Sequence, residues 1–221
     1  MLKVVVYDNG YGGELFADRL ESELPILDVI RVIDWRNAHI VQSSPRKARK
    51  LIETTLRPYL GEVDLIIFAN YLIASTNLKY FTNKYKEQAF LGLHLPRSSS
   101  VSKQEVLVLG TKTLARRIFF RNYLFRLSAR ATMVYLDEWQ TAIDDGELTS
   151  DDIKKKFVHL LKRGYMPEGI ILTSSNFYDI KPELRSVFKN NIKIYDDFTV
   201  LIDQTCRALK IRGGCVRKKT K

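Results

Sequence analysis

The chain has 221 residues, 45% of them hydrophobic and 28% charged, the balance of an ordinary globular protein with room for one large domain or two small ones. Its 36 Lys and Arg against 25 Asp and Glu leave a net charge of +11, which suits an anionic partner (nucleic acid, an acidic lipid surface or an anionic metabolite) or serves solubility alone. No uncharged apolar stretch reaches the ~20 residues of a membrane span, no signal-peptide layout precedes the first strand, and the two cysteines, Cys206 and Cys215, exclude a disulfide framework, so the expected location is the cytoplasm.

Residues 2–7 read as a buried strand, since Leu2, Val4, Val5 and Val6 leave almost no polar face. The strand ends in Asp8, and Gly10, Gly12 and Gly13 follow as a glycine-rich turn. A helix is predicted from Gly13 to about Leu24, with Leu15, Phe16, Leu20 and Leu24 on one stripe and Pro25 as its stop. Ile26 to Ile33 reads as a second strand. Ser44-Pro45 opens a helix with Pro at its first position, carrying Ala48, Leu51, Ile52 and Leu56. Val63 to Ala69 is the third strand, with Asn70 at its tip; a helix from about Leu72 to Lys86 and a short strand at Phe90–Leu93 follow. Pro96-Arg-Ser-Ser-Ser100 is the best linker candidate.

The pattern then restarts. Glu105 to Gly110 is a buried strand with Thr111 and Thr113 at its tip, followed by one predicted helix from Leu114 to Leu127, rich in arginine and aromatics. Ala131 to Leu136 reads as a strand. Thr149-Ser-Asp-Asp152 resembles a capping box and opens a helix with Ile153, Phe157, Leu160 and Leu161 as its apolar stripe. Gly169 to Leu172 is a further buried strand ending in Thr173-Ser-Ser-Asn176. A helix at 181–189, a strand at 192–195 and a last helix at 197–209 complete the chain.

Two βαβ runs, about 2–96 and 103–195, amount to a coarse internal duplication. Short buried strands alternating with helices predict an α/β fold of two lobes, each a mainly parallel sheet flanked by helices. The expected domains are 1–96, 103–211 (with the last helix able to pack back on the first lobe) and a basic tail, 212–221. Ligands of such folds sit at the carboxyl ends of strands, here in a cleft expected between the lobes.

The Asp8 turn is not a dinucleotide fingerprint, because Gly13 directly follows Gly12, and no Gly-Lys-Ser/Thr makes it a P-loop. Two readings remain: a glycine-permitted turn in which Asp8 bonds backbone amides, or a carboxylate held near a helix N-terminus facing a polar ligand. Ser174 and Ser175 have only His39, His94 and His159 as possible partners, and no nucleophile-elbow motif supports a hydrolase. Three scattered histidines and no spaced cysteines give no metal-ligand set.

Asp8-Asn-Gly-Tyr-Gly-Gly13 resembles the Asp-Ser-Gly-x-Gly-Gly opening of glutamate racemases, in the aspartate/glutamate racemase superfamily. The likeness runs over about 2–205. Arg31–Asp34 sits where the family has a strand ending in Gly-Asp, and Leu65–Asn70 where it has Ile-Ala-Cys-Asn-Thr. Leu91-Gly-Leu93 and Val108–Thr111 resemble the strands either side of the domain crossover. Gly169–Phe177 sits where the family has Leu-Gly-Cys-Thr-His-Tyr, and Tyr195-Asp196 resembles the closing Ile-Asp. The resemblance implies cofactor-independent inversion of an amino acid, with D-amino-acid and peptidoglycan-precursor chemistry, and a homodimer.

The departures bear on that chemistry. In the family two cysteines handle the weakly acidic α-proton from opposite faces, which needs tuned thiols. On this alignment Ala69 and Ser174 stand at the two positions, and neither a methyl nor an unactivated hydroxyl serves as that base. The family's substrate-binding Pro-Tyr-Gly loop falls in Ala38–Val41, and its histidine becomes Asn176. Asp8, Asn70 and Thr111 match, and Asn9 and Ser175 are similar polar groups. No residue is confidently catalytic. Asp8, Asn9, Asn70, Thr111, Ser175 and Asn176 are the candidate ligand-binding set for a small carboxylate or amino acid, with no cofactor.

The leading expectation is a racemase-like protein without the two-cysteine machinery, a binding or regulatory relative. One alternative is a racemase or isomerase with rewired groups. The other is a basic nucleic-acid-binding module using Arg117, Arg121, Lys218 and Lys219, through a basic helix face and the tail from Arg207. Against it stands the plainer reading of an amphipathic helix whose aromatics pack on the sheet while its arginines face water, with a solvated tail.

Overall fold

The structure is a computed structural model that describes residues 1–39, 44–97, 100–101, 104–127, 131–162, 164–188 and 192–211. Ile40-Val41, Ser98-Ser99, Arg130 and the tail with Cys215, Lys218 and Lys219 lie outside the described residues. The chain divides into two compact units, residues 1–94 joined by the segment that starts at Asp197, and residues 95–196.

In the first unit the elements are β1 (Leu2–Asp8), α1 (Tyr11–Glu23), β2 (Leu27–Ile33), α2 (Pro45–Leu56), β3 (Leu65–Phe68), α3 (Tyr71–Lys84) and β4 (Phe90–Gly92). The strands form one parallel sheet in the order β2-β1-β3-β4. Val4, Val5, Val6 and Tyr7 are all fully buried, as a central parallel strand covered on both faces demands. On one side, Val5, Tyr7, Ile66 and Phe68 meet Ile52 and Leu56 of α2 and Ile73 and Phe81 of α3. Ser44 caps α2 by accepting the Lys47 amide, and Pro45 occupies the first turn, where its missing N–H costs nothing.

The second unit contains β5 (Val106–Gly110), α4 (Lys112–Ala115), α5 (Ile118–Arg126), β6 (Ala131–Tyr135), α6 (Asp137–Asp144), α7 (Ser150–Lys162), β7 (Gly169–Leu172), α8 (Lys181–Phe188) and β8 (Lys193–Tyr195). Its sheet, also all parallel, runs β6-β5-β7-β8. The last helix, α9 (Phe198–Ala208), belongs to the first unit. There Phe198 packs edge-on against Phe16 of α1 at 5.1 Å, and Thr199 accepts a 2.7 Å hydrogen bond from Arg19.

The duplication reaches single hydrogen bonds. The Lys3 amide donates to the Asp64 carboxylate at 2.7 Å, and the Glu105 amide to the Glu168 carboxylate at 2.8 Å. The Asp34 amide donates to the Asp8 carbonyl and the Leu136 amide to the Gly110 carbonyl, both at 2.8 Å. Ala69 donates to Tyr7, and Thr173 to Leu109. Both sheets therefore have the same order and the same register.

Two local structures differ from the sequence expectation. The single helix predicted over 114–127 breaks at Arg117, whose backbone is extended. The reason is geometric: Leu114 and Phe120 are six residues apart, which would set them roughly 120° apart around a continuous helix, too far to share one buried stripe. The break lets both be buried, and α5 then turns Phe120, Tyr123, Leu124 and Leu127 inward at i, i+3, i+4 and i+7 spacing. The expectation that the helix aromatics pack inward therefore holds for Phe120 and fails for Phe125, which is 88% exposed. The second difference is α6, where the sequence reading had no element. Trp139 and Ile143 bury one face of it, Asp137 and Glu138 lie in its positive first turn, and Trp139 packs edge-on against Phe157 of α7 at 5.6 Å. At the start of α7, Thr149 and Asp152 form the reciprocal bonds of a capping box.

Candidate functional site

The tip of the first sheet is built by three polar residues that the strand order makes neighbours. Asp8 ends β1 and is fully buried; Asn9 follows it; Asn70 sits one residue beyond Ala69, just past the end of the adjacent β3. Asp8 Oδ1 accepts the Asn9 amide at 2.6 Å and Asn70 Nδ2 at 3.0 Å, and the same Nδ2 donates to Asn9 Oδ1 at 3.0 Å. Asn70 Oδ1 meanwhile accepts the Leu72 and Ile73 amides, capping α3. This division fixes the amide orientation, with oxygen to the helix and nitrogen to the carboxylate. Cap and site are thus one residue.

The glycine turn works differently from the sequence reading. Gly10 is extended at φ −164°, and among the described residues the positive-φ glycines are Gly61, Gly146 and Gly164. Gly13 is needed for space instead. A Cβ there would run into Asp8 Cβ and come within 2.7 Å of Ile33 Cδ1. The first turn of α1 lies directly on the Asp8 side chain because it has no side chain of its own at that point. Beneath, the Tyr7 ring joins the core while its hydroxyl lies by the Asp34 carboxylate. Burial first, then the charges of Asp34 and Asp8, push its pKa far above the ordinary tyrosine value. Tyr7 was hidden in the sequence by its place in an apolar run.

At the tip of the second sheet, Thr111 Oγ1 accepts the Leu114 amide and caps α4, while the Asp137 carboxylate accepts the Lys112 amide at 3.0 Å. Thr173 Oγ1 donates to the Leu109 carbonyl at 2.8 Å and fills the space that a Cβ on Gly110 would need. Ser174 precedes a 3-10 turn, Ser175–Tyr178, in which Ser175 and Asn176 are buried. Lys181, at the start of α8, pairs with Asp196 at 2.6 Å and lies 4.3 Å from the Tyr178 ring centre. The Lys181–Asp196 pair went unnoticed in the sequence because its partners are fifteen residues apart with no motif between them.

The strand register also relates the two tips. Tyr7 pairs with Phe68 and Leu109 with Leu172, so Ala69 corresponds to Thr173 and Asn70 corresponds to Ser174. Ala69 is fully buried; Ser174 is half-buried. Among the described residues the one thiol is Cys206, buried on α9 and outside both tips. His39 and His159 are exposed. His94, beyond β4, is exposed overall, yet partial burial of its ring lowers its pKa. Among the described residues no group of three or more His, Cys, Asp or Glu is arranged to hold a metal ion. The tips present carboxylate, amide and hydroxyl groups, and among the described residues neither tip carries a thiol.

No protein-family model matches the chain, and no curated protein matches it by sequence. Solved structures do match in fold. Glutamate racemase of Escherichia coli, in complex with L-glutamate and the activator UDP-MurNAc-Ala, superimposes with a TM-score of 0.82 at 16% identity, over 95% of this chain and 83% of that one. Glutamate racemase of Francisella tularensis, in complex with D-glutamate, gives 0.70 at 16% identity, over 95% of this chain and 81% of that one. An aspartate racemase homologue from Pyrococcus horikoshii gives 0.53 at 14% identity, over 95% of this chain and all of that one. The chain shares with these racemase structures its α/β fold, two parallel four-stranded sheets flanked by helices.

Proposed function

We propose that this chain is a racemase-like protein that binds a small amino-acid carboxylate at its strand tips without running two-thiol proton transfer. The observation that carries the reading is the Asp8–Asn9–Asn70 constellation: a buried carboxylate at a strand end, held by the Asn9 backbone amide and the Asn70 side-chain amide and overlaid by the first turn of α1. A carboxylate in such a setting suits the ammonium of an amino acid. In the second unit Thr111, Ser175 and Asn176 are a separate set of hydrogen-bonding groups at strand ends. Two of the solved structures with this fold contain L-glutamate and D-glutamate, which makes these the first ligands to test.

The catalytic part of the reading rests on chemistry. Moving an α-proton between two faces needs two positioned groups whose pKa values match the task. Ala69 has no exchangeable proton, and Ser174 and Asn70 carry groups that do not ionise at neutral pH. The test is α-proton exchange. Purified protein is mixed with each enantiomer of glutamate and aspartate in deuterium oxide and followed by NMR, beside a thermal-shift series with the same ligands. The expected result is a shift with one acidic amino acid, reduced in Asp8→Ala, and no deuterium uptake. Uptake that disappears in Asp8→Ala would overturn the non-catalytic reading. No shift with any of the four would overturn the binding reading.

A further inference from the structure

We propose that α5 docks this protein on an anionic lipid surface. The helix has two faces. Phe120, Tyr123, Leu124 and Leu127 turn inward, whereas Ile118, Arg121, Asn122 and Phe125 repeat the same i, i+3, i+4, i+7 spacing on the opposite side, all exposed. On that outer face Ile118 is 75% and Phe125 88% exposed. Folding puts these two large apolar side chains in water, the reverse of what the hydrophobic effect favours for a face with no partner.

Along this segment of the chain the charge has one sign. Lys112, Arg116, Arg121 and Arg126 are exposed, and residues 112–127 contain no Asp or Glu. The whole chain carries +11. An exposed apolar pair on a helix face that also carries Arg121, with Arg116 and Arg126 close by in the chain, matches the interfacial zone of an anionic bilayer, where ring and aliphatic chain enter the acyl boundary and the cations stay at the phosphates. Other occupants fit less well. Two side chains offer on the order of 300 Å² of apolar surface, against about 800 Å² per partner in a specific protein interface. Single-stranded nucleic acid stacks on aromatic rings, which gives Ile118 no role. Among the described residues no helix is long and apolar enough to cross a membrane, so the contact is peripheral. Each cation near an anionic surface is worth about a fivefold gain in affinity, so binding should be reversible and weakened by salt.

The test is co-sedimentation of the full chain with vesicles of phosphatidylglycerol and phosphatidylcholine, against vesicles of phosphatidylcholine alone. Expected are binding to the anionic vesicles only, its loss at high salt, and about tenfold or greater weakening in Ile118→Ser/Phe125→Ser. Both positions are exposed, so the double variant should keep its circular dichroism and melting temperature. Phe125→Trp gives a reading that needs no loss: the difference emission against wild type should move to the blue on anionic vesicles. The proposal is overturned if the wild type ignores anionic vesicles at low salt, or if truncation after Ile211 abolishes binding that the double variant retains. It is also overturned if the double variant converts a dimer into monomers, or loses affinity for an oligonucleotide while still sedimenting with vesicles.

Discussion

Gly13→Ala sets a propensity gain against a packing loss at the candidate site. Alanine inside a helix is better than glycine by roughly 0.5–1 kcal/mol. The new Cβ, however, would overlap Asp8 Cβ and lie 2.7 Å from Ile33 Cδ1. The Ile33 methyl can rotate away. Asp8 Cβ cannot, because its strand is paired with β2 and β3 on either side. Overpacking of this kind costs about 1–3 kcal/mol. The net expectation is a loss of about 1–2 kcal/mol, or about 2–8 °C in melting temperature for a chain of this size. Thermal scans and urea titrations of the two proteins measure it. Gly13→Ala/Ile33→Val, which removes the δ-methyl, should recover part of the loss but not all, since the Asp8 overlap remains. The same variant should also weaken any ligand held by Asp8. A Gly13→Ala protein more stable than wild type would refute the close-approach argument and leave only the propensity term.

Asn70→Ala removes the cap of α3 and a donor to a buried carboxylate at one stroke, and should cost about 2–4 kcal/mol in chemical denaturation. Asn70→Asp keeps the capping acceptor but sets a second carboxylate against Asp8. Its deficit relative to wild type should shrink as pH falls, because like-charge repulsion raises a folded-state pKa and the folded state then binds the extra proton. Tyr7 has a folded pKa above its unfolded value, so its contribution is complete below pH ~10 and is lost as pH rises beyond that, at about 1.4 kcal/mol per pH unit. Tyr7→Phe should remove that share of the alkaline slope in denaturation series between pH ~10 and ~12. Lys181→Ala leaves the nearly buried Asp196 without its ion pair and should destabilise the protein by about 2–4 kcal/mol by thermal melting.

The strands and their parallel pairing were legible in the sequence. Val4–Val6, Leu65–Phe68, Val106–Leu109 and Gly169–Leu172 are continuous apolar runs, and only a strand covered on both faces is written that way. The order of short motifs along the chain, from Asp8 to Tyr195-Asp196, likewise pointed to the racemase fold that the solved structures share. Helix starts marked by side chains, Ser44-Pro45 and Thr149–Asp152, were readable because a cap is a local bond between near neighbours. The break at Arg117 was not, since apolar residues on both sides of it make one plausible stripe until burial decides which of them face the core. The α6 helix escaped for a related reason: eight residues with three acids show little pattern, and its stability comes from Trp139 packing on Phe157.

The site divides along the same line. Residue types and chain order determined that Asp8, Asn70, Thr111 and Ser174 end strands, because alternation, apolar runs and turn residues act over a few neighbours. Tertiary structure decided what those ends do. Strand register brought Asn70 onto Asp8 from sixty-two residues away, made Asn70 rather than Ala69 the counterpart of Ser174, and pressed α1 so close that Gly13 admits no side chain. Those facts depend on distances of a few ångströms between segments far apart in the chain, and such distances are set by packing density and hydrogen-bond geometry in the assembled sheet.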